Sequence, residues 1–173
     1  MRQWQVRRLA AAGMALAVSL QAPAAEDRSW TLGRDGFGPL KIGISFEQAR
    51  RIAGPELRPT TPELLASPAC DQLPLPGHKG VALMFVEGVL RRIDVFKPGI
   101  RSAAGIAVGD PVSRVAHAYA GVRQEPNHYD ERESYLTAGP EQGRALRFET
   151  DKGKIGQMYA GDWPQVQYTE GCL

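Results

Sequence analysis

The side chains most able to do chemistry crowd together at His128-Tyr129-Asp130, where an imidazole, a phenol and a carboxylate share one polar connection with Glu131 beside them. Such a loop suits a small-molecule or saccharide binder, or a hydrolase drawing a general acid and base from it. A turn with solvated charges is the plain alternative. His78 and His117 stand apart, and no histidine pair has HxxxH spacing with a carboxylate near, so no metal is expected. His117 falls beside the apolar stripe of a short helix and reads as structural. There is no GxSxG elbow, and Ser45, Ser67, Ser102, Ser113 and Ser134 sit in capping or loop contexts. A carboxylate pair for glycoside cleavage could be drawn from Asp94 with Glu149 or Glu170, but spacing in sequence does not set the separation that chemistry needs. The glycines fall at helix stops and hairpin turns rather than in a phosphate-cradling loop, and no cofactor is expected.

The second candidate is a surface. Gly80–Val86 and Val89–Phe96 read as strands joined at Glu87-Gly88, and Ala145–Thr150 and Lys154–Tyr159 as another pair turning at Asp151-Lys152-Gly153. Alternation places Leu83, Phe85, Ile93, Val95, Leu146, Phe148 and Met158 toward the helices. Met84, Arg92, Asp94, Phe96, Arg147, Gln157 and Tyr159 then share the opposite side. A sheet face mixing aromatics with Arg and Asp has the composition of a protein-binding surface; an ordinary solvated face is the alternative. The expected binding set is Arg92, Asp94, Phe96, Arg147 and Tyr159, with Trp163 and Tyr168 at the rim. The expected role is non-catalytic engagement of a protein or envelope component, and the competing role belongs to the His128-Tyr129-Asp130 loop.

These residues are positioned by a pattern that occurs twice. Gly43-Ile44-Ser45-Phe46 opens a helix closing at Ala53-Gly54, and Gly109-Asp110-Pro111-Val112 opens another closing at Ala120-Gly121, an offset of 66 at the first glycine. Ser45 with Gln48 makes a capping box, and Asp110 is a candidate N-cap with Pro111 at the first helical position. Each helix precedes one of the two hairpins. The expected domains are 30–100 and 101–173, each one α+β repeat of helix plus antiparallel sheet, with the helices on one face. Residues 55–79 and 123–133 read as connections, with a helical turn at Pro62-Glu63-Leu64-Leu65, and Val166-Gln167-Tyr168 as a final strand.

The N-terminus carries an address. Arg2, Arg7 and Arg8 precede an uncharged apolar run from Leu9 to Leu20, followed by Ala22-Pro23-Ala24. This predicts a signal peptide over residues 1–24, cut after Ala24 or Ala25, with the periplasm or exterior of a bacterium as destination. The leader takes three of the 21 Lys+Arg and none of the 19 acids, leaving 18 against 19 and a near-neutral mature chain. That charge gives no case for nucleic acid or an anionic membrane surface, and no membrane anchor is expected. Cys70 and Cys172 are the chain's two cysteines; in an oxidising compartment they are expected to pair and staple the tail to the first half. Oligomeric state and the partner's identity stay open.

The motifs Lys41-Ile42-Gly43-Ile44-Ser45 and Ala107-Val108-Gly109-Asp110, each heading a helix and a meander of strands, resemble the β-lactamase-inhibitor-protein-like fold. The same unit occurs singly in outer-membrane-assembly lipoproteins of the SmpA/OmlA (BamE) type. The resemblance implies a tandem of that unit from Gly36 to the C-terminus, and a fold rather than an activity. The lipid-bearing cysteine of the assembly factors is absent. The inhibitors have more internal disulfides, so their function does not carry over. The chain also looks like a group of secreted bacterial proteins ending in Glu-Gly-Cys, which adds no chemistry.

Overall fold

The computed structural model describes Met1, residues 30–141 and residues 143–172. The expected leader, Met1 aside, lies outside these residues. The fold is α+β and rich in sheet. Among the described residues, two short helices accompany a three-stranded and a seven-stranded antiparallel sheet.

The large sheet has the order β4-β5-β6-β10-β9-β8-β7. Its strands are β4 (Cys70–Pro74), β5 (Val81–Val86), β6 (Val89–Val95), β7 (Arg123–Pro126), β8 (Ser134–Glu141), β9 (Arg144–Asp151) and β10 (Lys154–Asp162). The two expected hairpins are present. Glu87 and Gly88 have φ of 51° and 73°, and Lys152 and Gly153 have 50° and 76°. Positive φ at both central residues is the geometry whose twist matches the flanking strands. The same solution therefore closes both hairpins.

Two connections proved to contain strands. β4 lies inside the expected 55–79 loop and β7 inside the expected 123–133 loop. These are the outer strands of the sheet, and each ends in a proline, Pro74 and Pro126. Proline removes a ladder donor and is tolerated at an edge, where the composition blurs the strand signal. Before the first helix the chain folds back on itself as β2 (Gly36–Phe37) and β3 (Leu40–Lys41), which join β1 (Leu32–Gly33) in the small sheet. The expected last strand at Val166–Tyr168 is a 3-10 turn over Gln165–Gln167. The expected turn near Pro62 is also 3-10, over Pro62–Leu64.

Helix α1 (Phe46–Ala53) begins with the expected capping box: Ser45 Oγ accepts from Gln48 N, and Gln48 Oε1 accepts from Ser45 N. It ends at Gly54, whose φ of 98° turns the chain away. Helix α2 (Ser113–Ala118) starts later than expected, after Val112, with no side-chain cap. Asp110 does not cap it because its carboxylate accepts from Ala107 N at 2.9 Å and from Arg114 at 2.6 Å, closing the preceding turn instead. Phe46 packs edge-on to Phe85 at 5.3 Å, and Tyr119, just past α2, meets Phe148 at 5.5 Å.

The apolar layer follows the register. Val95, Met158, Phe148 and Leu136 line up across four strands, as do Ile93, Ala160, Leu146 and Ala138. All eight are buried. The adjacent arginines of β6 are resolved by a bulge: Met84 pairs with Arg92 and Phe85 with Leu90, leaving Arg91 unmatched. Arg91 turns out to Asp162 at 3.0 Å. Gly161 runs beside the bulge, where a Cβ would meet Arg91 O at 2.1 Å, so the close approach admits only glycine.

Candidate ligand clefts beside the C-terminal strap

The opposite sheet face holds most of the residues singled out for binding, and it is not open. Arg92, Asp94, Arg147 and Tyr159 are at most 4% exposed. Alternation sorted them correctly to one side, but residues 163–172 lie across that side as a strap. The strap has one fully covered apolar anchor, Val166. Its far end is fixed by the Cys70–Cys172 disulfide, which closes a sequence separation of 102 residues with the two Cα atoms 5.4 Å apart.

Hydrogen bonding explains why so polar a face accepts a cover. Asp94 Oδ1 accepts from Arg92 Nε and Oδ2 from Gln72 Nε2, both at 2.7 Å. Arg92 Nη1 donates to the strap carbonyls of Gln165 and Tyr168, at 2.9 and 2.5 Å, and the guanidinium stacks 4.4 Å from the Tyr159 ring centre. Tyr159 donates to Glu149 Oε2, while Glu149 Oε1 accepts from Asn127 Nδ2 at 3.0 Å. Burial pushes the Asp94 carboxyl up, against Arg92 and Gln72, which favour the anion. Burial, with Glu149, also pushes the Tyr159 phenol up, so it is a neutral donor. These groups are engaged with one another and with the strap.

Arg147 is the exception. Its Nη2 donates to Glu125 Oε2 at 3.2 Å, its Nη1 reaches Val166 O only at 3.5 Å, and it stacks 4.1 Å over Tyr135. Among the described residues its Nε has no partner, nor has Oγ1 of Thr137, the residue opposite it in the register. Burial pulls Arg147 below the ordinary guanidinium value, opposed by Glu125.

The 127–133 connection is tied to this network from the side. Asn127, held by Glu149, accepts through Oδ1 from Tyr129 N and Asp130 N, which sets the turn. Tyr129 is 68% exposed. Its hydroxyl donates to Glu170 and lies 3.3 Å from Thr169 Oγ1, both in the strap. His128 meets Tyr135 edge-on at 5.5 Å, and side-chain hydrogen bonds from Arg132 hold the Asp130 carboxyl at about 2. The three loop residues therefore do not converge on one point. Tyr129 turns to the strap, His128 to the sheet, and Asp130 to Arg132.

Two clefts flank the meeting of loop and strap. One, about 530 Å³, is bordered by Tyr129, Tyr168, Thr169, Glu170, Ser67 and the disulfide. The other, about 450 Å³, is bordered by Glu125, Asn127, His128, Glu131, Arg147 and Gln167. Both are of small-ligand size. Of the expected rim residues, Tyr168 lines the first cleft, and Trp163 stacks on Arg123 at 4.9 Å. Phe96 sits past the end of β6, 45% exposed, and takes no part in the described network. Sequence reasoning did not place Gln72, Glu125, Asn127, Tyr135 or Thr137 here. The edge-strand contributions of Gln72 and Glu125 were hidden with their strands. Among the described residues, no group of three or more His, Cys, Asp or Glu is placed to hold a metal ion.

No protein-family model and no curated protein matches the chain. Among solved structures it is similar to the uncharacterized protein yfeY from Escherichia coli, at 17% identity and a TM-score of 0.49, over 76% of this chain and 99% of that one. It is also similar to an extracellular protein containing a SCP domain from Bacillus anthracis str. Ames, at 12% identity and a TM-score of 0.53, over 87% of this chain. It spans 52% of that protein's length. Likeness at such identity concerns the fold alone.

Proposed function

We propose that this is a secreted, non-catalytic binding protein that takes a saccharide-type ligand, free or as part of an envelope component, in the cleft bordered by Tyr129 and the strap. Tyr129 carries the reading. A tyrosine 68% exposed ordinarily moves freely, yet this one is tied at its hydroxyl to Glu170 and Thr169. An aromatic face is thus held still in solvent, and the cost of ordering it on binding is already met. Tyr168, 43% exposed, is a second aromatic on the same cleft. Sugar rings offer apolar C–H faces to such platforms and hydroxyls to carboxylates and alcohols, which Glu170, Thr169 and Ser67 supply. The sheet face is not the saccharide surface in this reading, because the strap covers it and takes the donors of Arg92.

The Cys70–Cys172 bridge fits an oxidising compartment. With the basic and apolar leader it supports export to the periplasm or exterior after cleavage near Ala24; one structural neighbour is itself an extracellular protein. We read 30–100 and 101–173 as tandem helix-plus-sheet repeats. The sheet order mirrored about β6 and β10, the matched hairpin turns, and the paired Phe46–Phe85 and Tyr119–Phe148 contacts support this. So does the β-lactamase-inhibitor-protein-like resemblance.

Calorimetric titration of the mature, oxidised protein with a panel of soluble oligosaccharides tests the function. At least one should bind, and Tyr129→Ala should weaken it about tenfold or more, the loss of about 1.4 kcal/mol of contact, without lowering the melting temperature. A panel with no binder, or a variant that binds as well as wild type, would overturn the reading.

A further inference from the structure

The second cleft, on the other side of the 127–133 connection, is not used by the saccharide reading and has a different chemistry. Its inner wall is Arg147, 4% exposed, a buried cation whose partners are few. Among the described residues its one carboxylate partner, Glu125, is 44% exposed at the side chain and sits at 3.2 Å; the Val166 contact is at 3.5 Å, and Nε has none. Arg92 on the same face is better served, with a 2.7 Å carboxylate contact and two carbonyls at 2.9 Å or less. A guanidinium has five donors in a fork matched to a carboxylate. Arg147 is therefore the less satisfied member of the pair, and it lines the second cleft.

The rest of the cleft decides what kind of carboxylate fits. Glu125 and Glu131 give it two negative charges against the one positive charge of Arg147. A plain anion meets net repulsion there. Glu131 is exposed and makes no ion pair among the described residues, so it is free to meet a cation. Gln167 spends its amide N–H on Trp163 O and keeps its carbonyl oxygen as an acceptor. A group with a carboxylate at one end and an ammonium at the other satisfies both ends at once.

We propose that this cleft binds a small zwitterion of the amino-acid or short-peptide class, its carboxylate on Arg147 and its ammonium toward Glu131. The site is separate from the saccharide cleft and does not depend on it.

Titration with alanine and alanyl-alanine, against the N-acetylated and C-amidated forms of each, tests it on the mature, oxidised protein. A free zwitterion should bind, and each blocked form should bind at least about tenfold more weakly. Glu131→Gln, an exposed change that leaves folding alone, should weaken the free form about tenfold and leave the N-acetylated form unchanged. Arg147→Lys should abolish binding, and it is read only if its circular dichroism matches wild type. Tyr129→Ala should leave this binding intact, which separates the site from the saccharide cleft. No binding of either free zwitterion would overturn the proposal. So would equal binding of blocked and free forms, or an affinity indifferent to Glu131→Gln.

Discussion

Asp94→Ala tests whether the polar sheet face is sealed. Asp94 is fully buried and Arg92 is 2% exposed, with Nε–Oδ1 at 2.7 Å. Removing the carboxylate leaves a guanidinium under the strap with two carbonyls and no counter-charge, and strips Gln72 Nε2 of its acceptor. Breaking a buried pair from one side costs about 3–5 kcal/mol. Against a domain stability of about 5–15 kcal/mol, that is a large fraction. At about 2–4 °C per kcal/mol for a chain of this size, the melting temperature should fall by about 6–20 °C. Urea titration followed by tryptophan fluorescence, disulfide intact, gives the value. The internal control is Asp130→Ala, which removes a pair whose side chains are 38% and 87% exposed and should cost far less, because water screens it. If Asp94→Ala costs no more than Asp130→Ala, water reaches the pair and the strap does not seal the face. The open-surface expectation would then stand again, and the double change Arg92→Ala with Tyr159→Ala could be used to probe partner binding without unfolding the protein.

Two further outcomes follow from single groups. Thr137→Val replaces a fully buried hydroxyl lacking a partner with a methyl of like shape, and should raise stability by about 1 kcal/mol in the same urea assay; a loss would mean the hydroxyl is satisfied. The Asp110 carboxyl is held below its ordinary value of 3.8, chiefly by the Ala107 N–H and then by Arg114. Its folded value being depressed, its contribution is full above about pH 4 and lost as pH falls through the folded value. Wild type should therefore exceed Asp110→Asn in stability at pH 6, with the gap closing toward pH 3. A gap that does not change with pH would remove the carboxylate's charge from the explanation.

The sequence was legible where local chemistry sets the structure. Ser45 and Gln48 marked the start of α1, the Glu87-Gly88 and Lys152-Gly153 turns marked both hairpins, and strict alternation sorted Arg92, Asp94, Arg147 and Tyr159 from Ile93, Val95, Phe148 and Met158. The isolated cysteine pair pointed to the bridge that forms. What failed was everything decided at a distance. The edge strands at Cys70–Pro74 and Arg123–Pro126 are polar and end in proline, so only pairing with β5 and β8 reveals them. Asp110 looked like a helix cap because its competing partners, Ala107 N and Arg114, are chosen by the fold of the turn. Alternation also reports which side a residue faces and not what lies on that side. A strap with one buried apolar anchor, Val166, carries no periodic signal. Its place on the sheet is written in the donors of Arg92, which the sequence shows only as a charge on a strand. The loop at His128-Tyr129-Asp130 was visible as a cluster, but its division between two clefts depends on Asn127 and Glu149, which are 22 residues apart.

The most direct measurement is a two-dimensional amide NMR titration of the oxidised, mature protein with the oligosaccharide that binds best in calorimetry. Binding at the loop and strap should shift the amides of Tyr129, Thr169, Glu170 and Gly171 while those of Arg92, Asp94 and Tyr159 stay in place. Shifts concentrated on β6 and β10, or no shift at saturating saccharide, would contradict the assignment of function to the cleft.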